Sequence, residues 1–149
     1  MTPVDYNKKV TLLEAIAREE GWLILTSRAR RNHNPGNINW GKFAMMHGAT
    51  RIEKDPGYND EPKFVPRFAY FPSDQVGFEA MSSLLEAAYV GKSLYQAIYK
   101  WAPPIENNTQ QYVNNICKWT GLSPDTILES VHFQPPVNFN QQGNQLEMV

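Results

Sequence analysis

Two consecutive glutamates, Glu19 and Glu20, end a predicted amphipathic helix at residues 4–20. The apolar stripe of this helix consists of Val10, Leu13, Ile16 and Ala17. With Leu13 as the centre of the stripe and 100° per residue, Glu20 lies about 20° from that centre and Glu19 about 120° away. Glu20 is therefore predicted to face the core, where a carboxylate needs a partner or a proton.

A carboxyl group at this position suits acid catalysis. Burial and the negative end of the helix dipole both disfavour the charged form, so they are expected to raise the pKa of Glu20. A carboxylic acid that keeps its proton near neutral pH can act as a general acid. The alternative is a frayed helix end, where Glu20 only forms a salt bridge to a nearby arginine. Trp22 favours the first interpretation, because an aromatic wall desolvates a neighbouring acid.

Amide side chains follow the two acids closely. They are Asn32, Asn34, Asn37 and Asn39. An amide both donates and accepts hydrogen bonds, which suits sugar hydroxyls. The same residues are typical of turns, and the segment HNPGN predicts one, with Pro35 fixing φ and Gly36 free to take a positive φ.

The basic run RARR contains Arg28, Arg30 and Arg31. It is compatible with a solvated face that pairs with acids, with contacts to an anionic saccharide, or with a nucleic-acid patch. A nucleic-acid patch usually needs more basic residues than a chain of net charge −1 supplies. We therefore expect no nucleic-acid partner.

Composition excludes several other classes. The lone Cys117 cannot form an internal disulfide and is predicted to be a small core residue rather than a nucleophile. His33, His47 and His132 lack metal-ligand spacing, so no metal or other cofactor is expected. No apolar run reaches the roughly 20 residues of a membrane span, so we expect no membrane insertion. We also expect a monomer.

The remaining pattern predicts an α+β fold that is predominantly α, with a small irregular β region. Residues 64–71 are β-like, although Pro66 indicates an edge or a break. Helices are predicted from a Ser73 cap to Gly91, from a Ser93–Gln96 capping box to residue 101, from Asn108 or Thr109 to Gly121, and from Ser123 with Pro124 in the first turn. Residues 1–133 form the predicted domain, and residues 134–149 a polar tail.

Three segments together resemble a lysozyme-like family of bacterial and phage peptidoglycan glycosidases. They are AIAREEGW, SRARRNHNPGNINWGKFA, and the long stretch from FAYFPSDQ to TGLSPDTIL, which lie within residues 11–128. The pieces RNHNPGN and WAPPIENNTQQY, in this order, carry most of the specificity. The family includes lytic transglycosylases, muramidases and endo-β-N-acetylglucosaminidases.

The resemblance implies a lysozyme-like fold and cleavage of the β-1,4 glycan strand of peptidoglycan. Its catalytic glutamate, at the end of the first helix, maps onto Glu20. The substrate-binding residues that it implies, together with Arg28 from the basic run, are Asn32, Asn34, Asn37, Glu106, Asn108 and Tyr112. Asn108 is also compatible with a helix cap, and Tyr112 with a core residue.

The loop at residues 51–67 is longer than expected for this family. It supplies the candidates for a second carboxylate, which are Glu53, Asp55, Asp60 and Glu61. The alternative is that the loop is a solvated lid. A second acid would make the reaction an inverting or a retaining hydrolysis. Without one, the 6-hydroxyl of N-acetylmuramic acid can close on its own C1, which is the lytic transglycosylase route. Since no second acid stands out as Glu20 does, this route is slightly favoured.

Aromatic side chains are candidates to stack on the sugar rings. They are Trp22, Trp40, Tyr58 and Trp101, although Trp101 and Trp119 also fit core positions. The start MTPVDYNKK has no secretory signal. Action on the bacterial wall would therefore require a phage-encoded protein or export by other machinery. A non-catalytic glycan-binding or phage structural module is the alternative to an enzyme.

Overall fold

The structure is a computed structural model, and it describes residues 5–57 and 63–136. Three of the predicted site residues, Tyr58, Asp60 and Glu61, lie outside the described residues. So does most of the predicted tail at residues 134–149.

The first helix, α1 (Leu12–Glu19), is shorter than the sequence predicts. It begins at Thr11, whose hydroxyl accepts a hydrogen bond from the backbone N–H of Glu14. Before it, Asp5 accepts from the backbone of Asn7 and Lys8, and such local bonds compete with a helix. The predicted start at residue 4 is therefore wrong, whereas the end at Glu20 is confirmed.

Helix α1 lies in the core of the molecule. Its apolar residues Leu13, Ala15, Ile16 and Ala17 are almost completely buried. It contacts two later helices and a 3-10 helix at Ser130–Phe133. A side chain at the end of α1 therefore has packed protein around it, which is what a positioned acid needs.

The β region is small and irregular, as predicted. It follows two short helices, α2 (Arg28–Arg31) and α3 (Lys42–Met46). Strands β1 (Arg51–Ile52) and β2 (Ala69–Tyr70) pair antiparallel, with Arg51 opposite Tyr70. The segment predicted as β at residues 64–71 thus keeps only its last part as a strand, after Pro66.

Three longer helices form the second half of the fold. They are α4 (Asp74–Tyr89), α5 (Leu94–Trp101) and α6 (Thr109–Thr120). The predicted caps are confirmed: Ser73 caps α4, Ser93 and Gln96 form the capping box of α5, and Asn108 caps α6. Helix α6 ends at Gly121, whose φ of 78° is in the left-handed region.

The helix predicted from Ser123 is wrong. This segment pairs its backbone with the residues that lead into α5: the N–H of Leu94 donates to Thr126 and the N–H of Tyr95 donates to Pro124. These long-range bonds, with an isolated bridge between Ser93 and Ile127, take the place of helical ones.

The described part of the chain is mostly helical with one two-stranded sheet, so the α+β class with predominant α is confirmed. Within the described residues, no helix combines the length and the apolar character that crossing a bilayer requires. Cys117 is half-buried and packs against the core, as predicted.

Candidate active site

Glu20 is half-buried at the end of α1, directly before Gly21, whose φ of 93° turns the chain away. Both of its carboxylate oxygens accept hydrogen bonds. Nδ2 of Asn37 donates to Oε1 over 3.1 Å, and the hydroxyl of Tyr112 donates to Oε2 over 2.8 Å. Both of these donors are neutral, so they hold the carboxyl without an ion pair.

Tyr112 is fixed from the other side as well. Its hydroxyl accepts a hydrogen bond of 3.1 Å from Nε1 of Trp101, which makes a chain from Trp101 through Tyr112 to Glu20. Burial raises the pKa of Tyr112 well above its ordinary value, and the negative charge of Glu20 adds to the effect. The phenol therefore stays a donor to Glu20.

Asn37 lies in the predicted turn, which is confirmed by the bond from its N–H to the carbonyl of Asn34 over 3.1 Å. The positive φ, however, is at Asn37 itself (48°) and at His33, and not at Gly36. An asparagine tolerates this conformation better than most residues. Gly36 instead permits close packing, because a Cβ there would lie 3.1 Å from Cγ of Met81.

Asn34 holds this turn on the fold. It is fully buried, its Nδ2 donates to the carbonyls of Ile38 and Ala69 over 2.9 Å each, and its Oδ1 accepts from the N–H of Ile38 over 2.9 Å. The prediction that Asn34 lines the cleft is therefore wrong. Its amide connects the turn to strand β2 and so fixes Asn37 at a distance.

Asn32 and Arg28 belong to a second structural network, which centres on Glu53. Nε and Nη2 of Arg28 donate to the two oxygens of Glu53 over 2.7 and 2.5 Å. Nδ2 of Asn32 donates over 3.1 Å, and the backbone N–H groups of Arg67 and Phe68 complete the set. The predicted substrate contacts of Arg28 and Asn32 are thus replaced by contacts within the protein.

Glu53 is buried, and burial alone would raise its pKa. The hydrogen bonds from Arg28, Arg67, Phe68 and Asn32 outweigh burial and lower the pKa to about 2. A carboxylate held this tightly stays ionised and has no free oxygen to activate water. Glu53 is therefore a structural anion and not the second catalytic acid.

A groove runs past Glu20 and has two parts that meet there. The polar lobe has a volume of about 380 Å3, and the long lobe about 1120 Å3. Glu20, Asn37 and Asn107 line both parts. The remaining residues of the polar lobe are Glu19, Asn108, Gln111 and Tyr112.

The long lobe carries the aromatic residues. They are Trp40, Phe43, Phe68 and Trp101, all of them half-buried. Trp40, which was predicted to stack on a sugar ring, thus lines the groove. Trp101 lines the lobe while it holds Tyr112, and Trp119 packs against the core as predicted. Trp22 is fully buried against Phe78, with ring centroids 5.2 Å apart, so its prediction as a sugar platform is wrong.

Two more predicted residues line the groove. Glu106 is exposed in the long lobe. Asn108 lines the polar lobe while its Oδ1 accepts from the N–H of Gln111, so it caps α6 and faces the groove at the same time.

Glu19 is the groove residue that the helical pattern missed. It is half-buried in the polar lobe and accepts a hydrogen bond from Nδ2 of Asn115. Burial raises its pKa, the bond from Asn115 opposes the change, and the charge of Glu20 adds to it. Its position directly before Glu20 was the available signal, because adjacent residues at a helix end can both reach a cleft beside that end.

The other arginines of RARR also bind the fold. Nη1 of Arg30 donates to the carbonyl of Trp22, and Nη1 of Arg31 to that of Thr26. Asp55, a further candidate for the second acid, accepts from the N–H of Gly57 in an exposed turn.

Comparison with known proteins finds a similarity to a phage protein. The chain is 29% identical over 101 residues to Protein P5 of Pseudoalteromonas phage PM2, and the match covers 64% of this chain and 57% of that protein. The chain thus spans less than two thirds of the length of this relative. No family model matches the chain. The similarity agrees with the phage connection that the sequence predicts.

Proposed function

We propose that this protein cleaves the β-1,4 glycan of bacterial peptidoglycan, on a lysozyme-like fold, with Glu20 as the general acid and base. The observation that carries the proposal is the position of Glu20 at the junction of two open lobes, with one neutral donor on each carboxylate oxygen. The groove extends on both sides of the acid, as a polymer that is cut internally requires.

The chemistry of the groove suits a glycan. Half-buried aromatic rings such as Trp40 offer flat apolar faces to sugar rings, and the amides of Asn37, Asn107 and Asn108 offer donors and acceptors to hydroxyls. The resemblance implies a catalytic glutamate at the end of the first helix, and Glu20 ends α1 beside this groove.

In the first step, protonated Glu20 gives its proton to the glycosidic oxygen, and positive charge builds at the sugar ring. The Glu20 carboxylate left behind is stabilised by the bonds from Tyr112 and Asn37. These donors are already in position before the reaction, so little reorganisation is needed when the charge appears.

The lytic transglycosylase route accounts for the second step with Glu20 alone. The carboxylate accepts the proton of the 6-hydroxyl of N-acetylmuramic acid as that oxygen bonds to C1, which yields a 1,6-anhydro end. Glu53 is bound to Arg28 and cannot supply a second acid. Glu19 lines the same polar lobe as Glu20, whereas a catalytic carboxylate pair flanks the bond that is cut.

The test is clearing of a purified peptidoglycan suspension, with mass spectrometry of the released fragments. We expect the wild-type protein to clear it and Glu20→Gln to lose at least about a hundredfold in rate. Glu79→Gln, at an exposed position of α4, is the control and should clear normally. Anhydro ends would identify a transglycosylase and reducing ends a hydrolase.

Binding to peptidoglycan by both proteins, with no clearing by either, would overturn the enzymatic proposal. It would identify a non-catalytic glycan-binding module instead. Clearing by Glu20→Gln at the wild-type rate would show that a residue other than Glu20 is the catalytic acid.

A further inference from the structure

The long lobe has two walls of unlike charge. One wall consists of residues 36–43 together with residues 67–68, and it carries the exposed cations Lys42 and Arg67. The other wall consists of Trp101, Ala102, Glu106 and Asn107, and Glu106 is its acid. We call the first of these the cationic wall.

Arg67 is held in place by its own backbone. Its N–H donates to Oε2 of Glu53 over 3.0 Å, and its carbonyl accepts from the N–H of Trp40 over 2.8 Å. Its guanidinium lies 4.5 Å from the centre of the Phe68 ring. This contact orients the guanidinium, which donates no hydrogen bond to the residues that the structure describes, so its N–H groups are available to a ligand.

Lys42 is the first residue of α3 and lies on the same wall, two positions after Trp40. Within the part of the chain that the structure describes, neither Lys42 nor Arg67 forms an ion pair. The whole chain has a net charge of −1, so two cations on the wall of a groove are a local feature and not part of a general basic surface.

A β-1,4 glycan of N-acetylglucosamine alone, such as chitin, offers these cations nothing to pair with, because its hydroxyls and acetamido groups are neutral. In peptidoglycan, the muramic acid residues also carry peptide stems with free carboxylates. A guanidinium binds a carboxylate through two parallel hydrogen bonds, and an ammonium adds a point charge. The cationic wall of the groove is therefore complementary in charge to the peptide stems of peptidoglycan.

We propose that Lys42 and Arg67 bind the carboxylates of the peptide stem and make the groove selective for peptide-bearing glycan over a neutral glycan such as chitin. This inference rests on the proposed function, since it assumes that a glycan lies in the long lobe. It states which part of the substrate the groove recognises, and the role of Glu20 as the acid does not determine this.

The experiment measures binding, so that it does not depend on turnover. The Glu20→Gln protein is mixed with intact peptidoglycan, and separately with chitin, a neutral β-1,4 glycan that carries no peptide stems. Its affinity is compared with that of the same protein carrying Lys42→Gln and Arg67→Gln. The matched control carries Lys54→Gln and Lys100→Gln, which remove the same charge at exposed positions that do not line the groove.

The expected result is a loss of about tenfold in affinity for intact peptidoglycan when the cationic wall is removed, with affinity for chitin unchanged. Added salt should weaken binding of the parent protein to peptidoglycan and have less effect on its binding to chitin. The control should lose less than about twofold on both.

Four results would overturn the proposal. Equal losses on both materials would mean that the two side chains hold the sugar or the fold. Equal losses in the control would mean general charge attraction. Unchanged binding by the cationic-wall variant, while the wild-type protein still clears peptidoglycan, would refute this inference and leave the proposed function intact. If the Glu20→Gln protein bound neither material, both this inference and the proposed function would fail.

Discussion

The hydroxyl of Tyr112 donates a 2.8 Å hydrogen bond to Glu20, although the two residues are 92 positions apart in the sequence. Tyr112 is about 5% exposed and Trp101 holds its oxygen from behind, so the phenol has little freedom to turn away. A donor fixed in this way determines where the Glu20 carboxyl points. The position of the acid thus depends on the packing of α6 against α1.

Tyr112→Phe removes this donor without changing the shape of the side chain. We expect clearing activity to fall about tenfold to a hundredfold, because a hydrogen bond to a charged group contributes about 1.5–3 kcal/mol. The free energy of unfolding should fall by about 1–3 kcal/mol, since Nε1 of Trp101 loses its acceptor. Rates and urea unfolding curves measure both effects. Tyr99→Phe, at the Gln110 contact outside the groove, is the control, and full activity in Tyr112→Phe would contradict the positioning role.

Asn37 can be tested with two substitutions that separate its amide from its backbone. Asn37→Gly removes the donor to Glu20 but accepts the φ of 48° without strain. Asn37→Ala removes the donor and keeps a Cβ in the left-handed region without the local hydrogen bonding by which asparagine tolerates it, at a cost of up to about 1–2 kcal/mol. We expect similar losses of activity in both variants and a lower unfolding free energy only in Asn37→Ala. Wild-type activity in Asn37→Gly would show that the amide is dispensable.

Glu53 should make stability depend on pH in the acid range. Its pKa in the folded protein, about 2, is below the ordinary value of 4.5, so the folded state binds fewer protons than the unfolded state. Its contribution of roughly 3 kcal/mol is present above the ordinary pKa and is lost as the pH falls toward 2. Urea unfolding of the wild type and of Glu53→Gln measures this. We expect the difference between the two proteins to shrink between pH 5 and pH 2, and a constant difference would contradict the assignment.

Glu19→Gln tests whether the neighbouring acid takes part in the reaction. The amide oxygen introduced by this substitution would still accept the bond from Asn115, so the fold should be unaffected. If Glu20 acts alone, clearing should stay within about threefold of the wild type. Because the pKa of Glu19 is raised, its contribution to stability is greatest below 4.5 and is lost as the pH rises through the raised value. The variant should lack this component of the pH dependence. A loss of activity as large as in Glu20→Gln would instead make the two acids a pair.

At Gly77, α4 passes very close to the segment that leads to Asn37. A Cβ at this position would lie only 1.9 Å from the carbonyl oxygen of His33, so Gly77→Ala must displace either the helix or the turn. We expect a loss of at least about 2 kcal/mol in unfolding free energy, together with reduced activity. Gly41→Ala is the control for stability, because a Cβ there would meet nothing within 4 Å and its φ of 165° is ordinary extended backbone. Equal stability of the two variants would contradict the close approach.

Much of the helical part of the fold could be predicted from local chemistry. The caps at Ser73, Ser93 and Asn108 act within a few residues of themselves, so the sequence contains both partners. The prediction of a helix after Ser123 was wrong because the backbone of this segment pairs with residues some thirty positions earlier. A local sequence pattern cannot show such a long-range pairing.

The candidate site was predictable only where the helical pattern fixes a direction. The spacing from Leu13 indicated that Glu20 leaves the solvent face, and the structure agrees with a half-buried carboxyl. No helical spacing predicts the direction of the amide side chains, and the sequence alone does not distinguish the role of Asn34 from that of Asn37. Their different roles arise from long-range partners, Ala69 for the first and Glu20 for the second.

The two donors on Glu20 come from positions 37 and 112, so the acid lies early in the chain and the groups that orient it are added much later. During synthesis on a ribosome, α1 emerges long before α6 exists. An oriented acid can therefore form only after Tyr112 has been made and α6 has packed against α1. Translation itself would delay the appearance of a competent centre, and a chain truncated before α6 would contain the acid without its orientation.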